Sequence, residues 1–175
     1  MRYASIRFMD ITNGEGIGVS LFVQGCYFHC KNCFNQETWD FDGGKEWTKE
    51  TEERFFELIS QPFVDRVSFL GGECLTEENA PKILSLITEI KTNFPSKTIW
   101  LYTGFEWDFI KYTTSETSEV PSIRKKIISM CDVVIDGQFV DELKDLTLKW
   151  RGSSNQRVID VKKSLDQNKV VLYCE

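Results

Sequence analysis

The sequence predicts an α/β fold, in one domain covering residues 1–175, built on an open, mostly parallel sheet of five to six strands. Three observations predict it. Apolar runs of strand length alternate with amphipathic runs of helix length, the pattern of βα units. Four distinctive groups each follow a strand: residues 26–33, 71–73, 103–104 and 136–137. In parallel α/β folds such groups gather at the carboxyl ends of the strands, on one rim. Finally, 175 residues are too few for eight βα units, which need about 250, so any barrel must be partial.

The elements follow in order. Residues 5–11 alternate and predict a first, edge strand. Asn13-Gly14-Glu15-Gly16-Ile17-Gly18 is a glycine-rich turn. No Gly-Lys-Ser/Thr follows it, which excludes a phosphate loop. Residues 19–23 are a continuous apolar run, a buried strand ended by Gln24-Gly25. Residues 34–47 are polar and aromatic, and Trp39 and Trp47 are expected to pack over the core edge. Thr48 caps a helix reaching about Ser60, with Phe55, Phe56, Leu58 and Ile59 on its apolar face. Residues 65–70 form a strand closed by Gly71-Gly72-Glu73. Thr76 is expected to cap the next helix, whose buried face is Ile83, Leu84, Leu86, Ile87 and Ile90. Residues 98–102 form a strand. The helical region after it is interrupted by the polar insert 113–119, and residues 122–130 resume a helix. A strand at 133–135 ends at Asp136-Gly137. Residues 157–161 and 170–173 are expected to be last strands, around a turn at 166–168.

Composition bounds the function. Hydrophobic residues make up 41% and charged residues 27%, ordinary for a globular chain. The net charge of −6, with no Lys/Arg run, argues against nucleic acid as a partner. No apolar stretch approaches the roughly 20 residues of a membrane helix, and the first residues carry no signal-peptide pattern. Six cysteines, three of them clustered, suit a reducing cytoplasm better than a disulfide framework.

The cluster is Cys26-Tyr27-Phe28-His29-Cys30-Lys31-Asn32-Cys33, spacing C-x3-C-x2-C. A structural zinc site takes four protein ligands, and iron–sulfur clusters are usually held by four cysteines. Three local thiolates therefore suggest a four-iron cluster with one iron open to a small molecule. The alternative is a zinc knuckle completed by His29, Cys74, Cys131 or Cys174.

This spacing after a first strand resembles the radical S-adenosylmethionine (SAM) enzymes, and Gly71-Gly72-Glu73 looks like their second motif. Asn13-Gly14-Glu15-Gly16, residues 21–33 and Trp150-Arg151-Gly152-Ser153-Ser154-Asn155-Gln156 resemble the activating proteins of anaerobic ribonucleoside-triphosphate reductases. The resemblance implies an open partial (βα) barrel and a [4Fe-4S] cluster on Cys26, Cys30 and Cys33. It implies SAM chelated through its amino and carboxylate groups, split by one electron to a 5′-deoxyadenosyl radical. The implied substrate is a glycine of the reductase large subunit, which becomes a glycyl radical. An electron donor such as a flavodoxin would supply the electron.

The remaining site residues follow from that picture. Gly71 and Gly72 allow close backbone approach, and strand-end carbonyls with the Glu73 carboxylate suit the SAM ammonium. Asn32 stands where much of the superfamily has an aromatic, so backbone at Asn32, Cys33 and Phe34, or the Phe34 ring, is expected to meet the adenine. Asp136 is expected either to hold ribose hydroxyls or an ion, or to start a turn. His29 is assigned no role. Residues 150–156 are expected to serve the reductase contact or to cover the cluster side. Two other readings stay open: a short radical SAM enzyme acting on a small molecule, and a non-catalytic iron–sulfur or zinc module.

Overall fold

The computed structural model describes residues 1–174. Seven strands form one sheet: β1 Arg2–Asp10, β2 Gly18–Val23, β3 Lys45–Glu46, β4 Arg66–Gly71, β5 Thr98–Tyr102, β6 Val133–Asp136 and β7 Arg157–Asp160, in spatial order β3-β1-β2-β4-β5-β6-β7. The middle four, β2, β4, β5 and β6, run parallel. β1, β3 and β7 pair antiparallel at the two flanks. The sheet is open: its ends, β3 and β7, are not paired to each other. Four α-helices lie between strands, α1 Lys49–Ile59, α2 Ala80–Asn93, α3 Trp107–Tyr112 and α4 Val120–Met130, and α5 Val161–Gln167 follows β7. Among the described residues no helix is long and apolar enough to cross a membrane.

The strand count exceeds the expected five to six, and the difference lies at the flanks. β3 is a two-residue strand that covers β1, so β1 is not the edge. Residues 170–173 contribute only an isolated bridge, Ile159 to Leu172. Where a turn was expected, α5 forms. The Asp160 carboxylate caps it by accepting the Lys163 N–H at 3.0 Å, and Asn168, at φ 52°, closes it. Seven residues are too few to display a helical period. Thr76 caps a turn one step early, accepting the Asn79 N–H at 3.2 Å, and α2 begins only at Ala80. Thr48 caps α1 as expected, accepting the Thr51 N–H.

Strand side chains alternate between the two faces of the sheet. Val19, Leu21, Val23, Val67, Phe69, Ile99, Leu101 and Val134 bury against α1, α2 and α4. The opposite face carries Ser20, Ser68, Trp100 and Tyr102, and among the described residues no helix lies over it. Its lower end is closed by the glycine-rich turn, folded over a fully buried Arg66. The guanidinium donates to the carbonyls of Asn13 (2.6 Å), Asp10 (2.6 Å) and Glu15 (3.2 Å), and to the Ser68 hydroxyl. A Cβ at Gly14, whose φ is +137°, would lie 2.5 Å from Arg66 Cδ, so only glycine fits there. Asp10 stands beside this cation. Burial alone would raise its pKa, but hydrogen bonds from Ser20, Asn13 and Thr12 outweigh that and hold it at about 2.

Two predictions follow from this floor. Arg66→Met strips the carbonyls of Asp10, Asn13 and Glu15 of their guanidinium donor and removes the cation beside Asp10, and should cost about 3–5 kcal/mol in urea unfolding. The folded Asp10 pKa lies below its ordinary 3.8, so the unfolded chain binds the extra proton first and stability falls as pH drops from about 4 towards 2. Asp10→Asn should flatten that acid limb, read from unfolding midpoints across the same range.

Candidate functional site

β2 delivers the chain to the cysteine loop, and main-chain bonds fix where it arrives. The Gly25 N–H donates to the Thr38 carbonyl at 2.7 Å and the Cys26 N–H to the Trp39 carbonyl at 3.0 Å. His29 and Asn32 take positive φ, 46° and 55°, which curls residues 26–33 tightly. All three thiols are free and half-buried. The Cys33 sulfur accepts the Asn35 N–H at 3.4 Å, the Cys30 thiol faces the Gln138 side-chain oxygen at 4.0 Å, and the nearby amides of Phe28 and His29 at Cys26 and of Phe139 at Cys30 favour the thiolates. Burial pushes the Cys26 thiol up to about 11 and raises that of Cys30, whose neighbour Cys33 adds like charge.

This donor set fits an iron–sulfur cluster. N–H groups aimed at sulfur stabilise thiolate ligands and tune such centres. Binding metal would displace the thiol protons. Among the described residues no three His, Cys, Asp or Glu side chains converge on a single ion. The candidates for a fourth ligand are used elsewhere. His29 stacks on Trp39, centroids 4.5 Å apart. Cys74 and Cys131 lie in the helix-side core, with sulfurs against the carbonyls of Leu70 and Ile127. Cys174 packs beside the Trp100 cluster on the other face.

The 71–73 motif is stitched to the same strand end. Gly72 N–H donates to the Val23 carbonyl at 2.9 Å and Glu73 N–H to the Gly25 carbonyl at 2.8 Å. Gly71 has φ +107°, and a Cβ there would lie 2.7 Å from Phe22 Cα. A Cβ on Gly72 would meet the Gly25 carbonyl oxygen at 2.5 Å. The two glycines thus let β4 close on the root of the cysteine loop.

Glu73, expected to face a ligand, and Asp136, expected either to do so or to start a turn, are both engaged within the fold. Glu73 is 2% exposed. Its oxygens accept from Leu75 N–H (2.8 Å), the Thr103 hydroxyl (2.8 Å) and Gly104 N–H (2.7 Å), which ties the end of β4 to the end of β5. Burial pushes its pKa up, while those donors and the Arg124 charge pull it back. Asp136 is 1% exposed. It accepts from Trp107 N–H at 2.8 Å and from Arg157 at 3.0 and 2.5 Å, bracing β6 against α3 and β7. The Asn32 side chain is also engaged, donating to Asp141 at 2.7 Å.

Residues 150–156 are a self-closed roof. The Gln156 side chain accepts the Gly152 and Ser153 N–H groups at 2.9 and 3.2 Å and donates to the Gly137 carbonyl at 2.9 Å. Gly152 sits on Phe34 and Phe139, whose rings pack 5.1 Å apart. Beneath lies a cavity of about 530 Å³, with Cys33 and Phe34 on one wall, Phe22 and Tyr102 from the sheet, and Arg151 and Gln156 from the roof. Phe139 had no signal in the sequence, Tyr102 was legible only as the last residue of the 98–102 strand, and Arg151 only as a member of the 150–156 run. A slightly larger hollow, about 610 Å³, lies at the amino ends of the strands and touches none of the expected site residues.

Residues 12–159 match the family model described as a 4Fe-4S single cluster domain. The anaerobic ribonucleoside-triphosphate reductase-activating protein of Salmonella typhimurium is 37% identical over 160 residues, 90% of this chain and 97% of that protein. Its counterpart in Escherichia coli K12 is 36% identical over the same shares. That of Enterobacteria phage T4 is 34% identical over 90% of this chain and 93% of its own. The chain belongs to the family of anaerobic ribonucleoside-triphosphate reductase-activating proteins.

The brace at Glu73 is testable. Glu73→Gln turns an amide donor towards an N–H group and should lower stability by about 1–3 kcal/mol with an unchanged urea m-value.

Proposed function

We propose that this chain is a radical SAM activating enzyme for an anaerobic ribonucleoside-triphosphate reductase. It makes a glycyl radical on the reductase large subunit. The observation that carries the reading is three cysteines in one loop, with no fourth ligand among the described residues and with Cys33 lining a cavity at the carboxyl ends of parallel strands. Cys26, Cys30 and Cys33 would hold a [4Fe-4S] cluster, which would supply the electron for reductive cleavage of SAM.

The chain's own residues divide the remaining work. Cys26, Cys30 and Cys33 hold the centre, steadied by the N–H groups of Phe28, His29, Phe139 and Asn35. The main chain at Gly71 and Gly72 offers carbonyls to the SAM ammonium, and the Glu73 carboxylate holds that main chain in place. Backbone at Asn32, Cys33 and Phe34 meets the adenine. Asp136 acts through the frame, as a brace on the rim. The sheet, open between β3 and β7, acts as a partial barrel that leaves one side free for a polypeptide. Roof residues 150–156 keep water from that side, which matters for so reactive an intermediate. The relatives are activating proteins of one kind and lend nothing to the small-substrate or zinc-module alternatives. A cytoplasmic protein and a flavodoxin-type electron donor suit this chemistry.

The test is electron paramagnetic resonance of the reductase mixed anaerobically with the reconstituted protein, SAM and a reductant. A glycyl doublet is expected. Cys30→Ala should abolish it and lower bound iron, while Cys131→Ala should keep both. A loaded cluster with no doublet would overturn the reading.

A further inference from the structure

Three side chains of the roof bond the main chain of the turn that leaves β6. Asn155 donates to the Gln138 carbonyl at 2.8 Å and Gln156 to the Gly137 carbonyl at 2.9 Å. Ser153 is fully buried, and its hydroxyl accepts the Val140 N–H at 3.1 Å. The turn starts from a strand end already fixed by Asp136. It passes through Gly137 at φ +94°, a region that suits glycine. An antiparallel bridge between Lys144 and Ser153 ties its far side.

Held there, the turn runs beside the cysteine loop. The Cys30 thiol faces the Gln138 side-chain oxygen at 4.0 Å. Lys31 pairs with Glu142 at 3.0 Å, Asn32 donates to Asp141 at 2.7 Å, and the Phe34 and Phe139 rings pack 5.1 Å apart. Residues 138–142 are thus lined along residues 30–34. The consequence falls on Cys30. Cys26 and Cys33 meet amides from the loop or just beyond it, at Phe28, His29 and Asn35. Cys30 meets one from this distant segment, the Phe139 N–H. The Gln138 amide can add another. It shows its oxygen to the thiol, and half a turn about its last bond presents its N–H groups to a thiolate.

We propose that Ser153, Asn155 and Gln156 are positioning residues that clamp the turn at 137–140 against Cys30, so that the N–H donors of Gln138 and Phe139 raise the reduction potential of the cluster. This rests on the cluster proposed above and adds what sets its affinity for an electron. An N–H group aimed at a ligand sulfur stabilises the more negative, reduced centre. The run at 150–156 thereby acquires a task inside the fold, exerted through the turn and not by touching the sulfurs.

The test reads the potential, not turnover. Ser153→Ala, Asn155→Ala and Gln138→Met are reconstituted anaerobically beside wild type, and their iron is counted. The cluster potential is then measured without SAM, by redox titration followed by electron paramagnetic resonance. Each variant should make the cluster about tenfold harder to reduce, the cost of a lost hydrogen bond, a downward shift of ~59 mV for one electron. The sign separates the clamp from a simple water shield. A loosened shield admits solvent, which favours the more negative state and raises the potential. Asn155 and Gln138 are exposed, so their variants test the proposal even if Ser153→Ala assembles no cluster. Ser164→Ala is the control for lost stability. That buried hydroxyl bonds Asp160 and Val171 around α5, so its loss should lower the urea midpoint and leave the potential alone. An unchanged or raised potential in Asn155→Ala and Gln138→Met, with a full cluster, would overturn the clamp alone. A wild-type protein that takes up no iron would overturn it together with the cluster reading on which it rests.

Discussion

Much of this structure hangs on the main chain of one residue, Gly25. Its N–H is held by the Thr38 carbonyl and its carbonyl receives the Glu73 N–H. Those two bonds fix the root of the cysteine loop against the loop that follows it and against the end of β4. The approach is so close that a Cβ on Gly72 would meet the Gly25 oxygen. Main-chain bonds of this kind do not depend on side-chain rotamers, so the position of the three sulfurs is set by backbone geometry. That is the precision a site needs when a small displacement of reacting atoms is costly.

The rim is completed by carboxylates that never reach solvent. Glu73 joins β4 to β5, and Asp136 joins β6 to α3 and β7. A buried carboxylate without donors would be expensive. Here each meets at least three, from backbone N–H groups, a hydroxyl or a guanidinium. The same logic closes the other end of the sheet, where Arg66 gathers the carbonyls of the glycine-rich turn and Asp10 gathers its hydroxyl and amide donors. Both ends are held by charge-assisted hydrogen bonds to main chain, stronger than neutral ones.

This explains what the sequence made legible. Periodicity showed the parallel strands and α1, α2 and α4, because each buries a continuous apolar face. The cysteine spacing showed the metal-binding loop, because all its donors lie within eight consecutive residues. The direction of the acidic side chains was not legible. Glu73 and Asp136 follow strands, as ligand-binding carboxylates do, and only the positions of Gly104, Trp107 and Arg157 reveal that they turn inward. β3 and α5 escaped for another reason: two and seven residues carry too little pattern, and their existence depends on β1 and Asp160. Tyr102 and Arg151 are single residues whose meaning lies in the cavity they share.

The two ends of the sheet also differ in how firmly they are made. At the amino ends, each guanidinium nitrogen of Arg66 finds an acceptor within the fold, and the turn above it admits no larger residue at Gly14. At the carboxyl ends, the three half-buried cysteines and the exposed Phe34 and Leu146 have no such closure. An enzyme that acts on the main chain of another protein needs this asymmetry. Its floor must be rigid, so that the reacting atoms keep their distance, while the rim stays open. A closed barrel would cover that rim with its own strands. Ending the sheet at β7, with an antiparallel strand that leads the chain back into α5, leaves it uncovered.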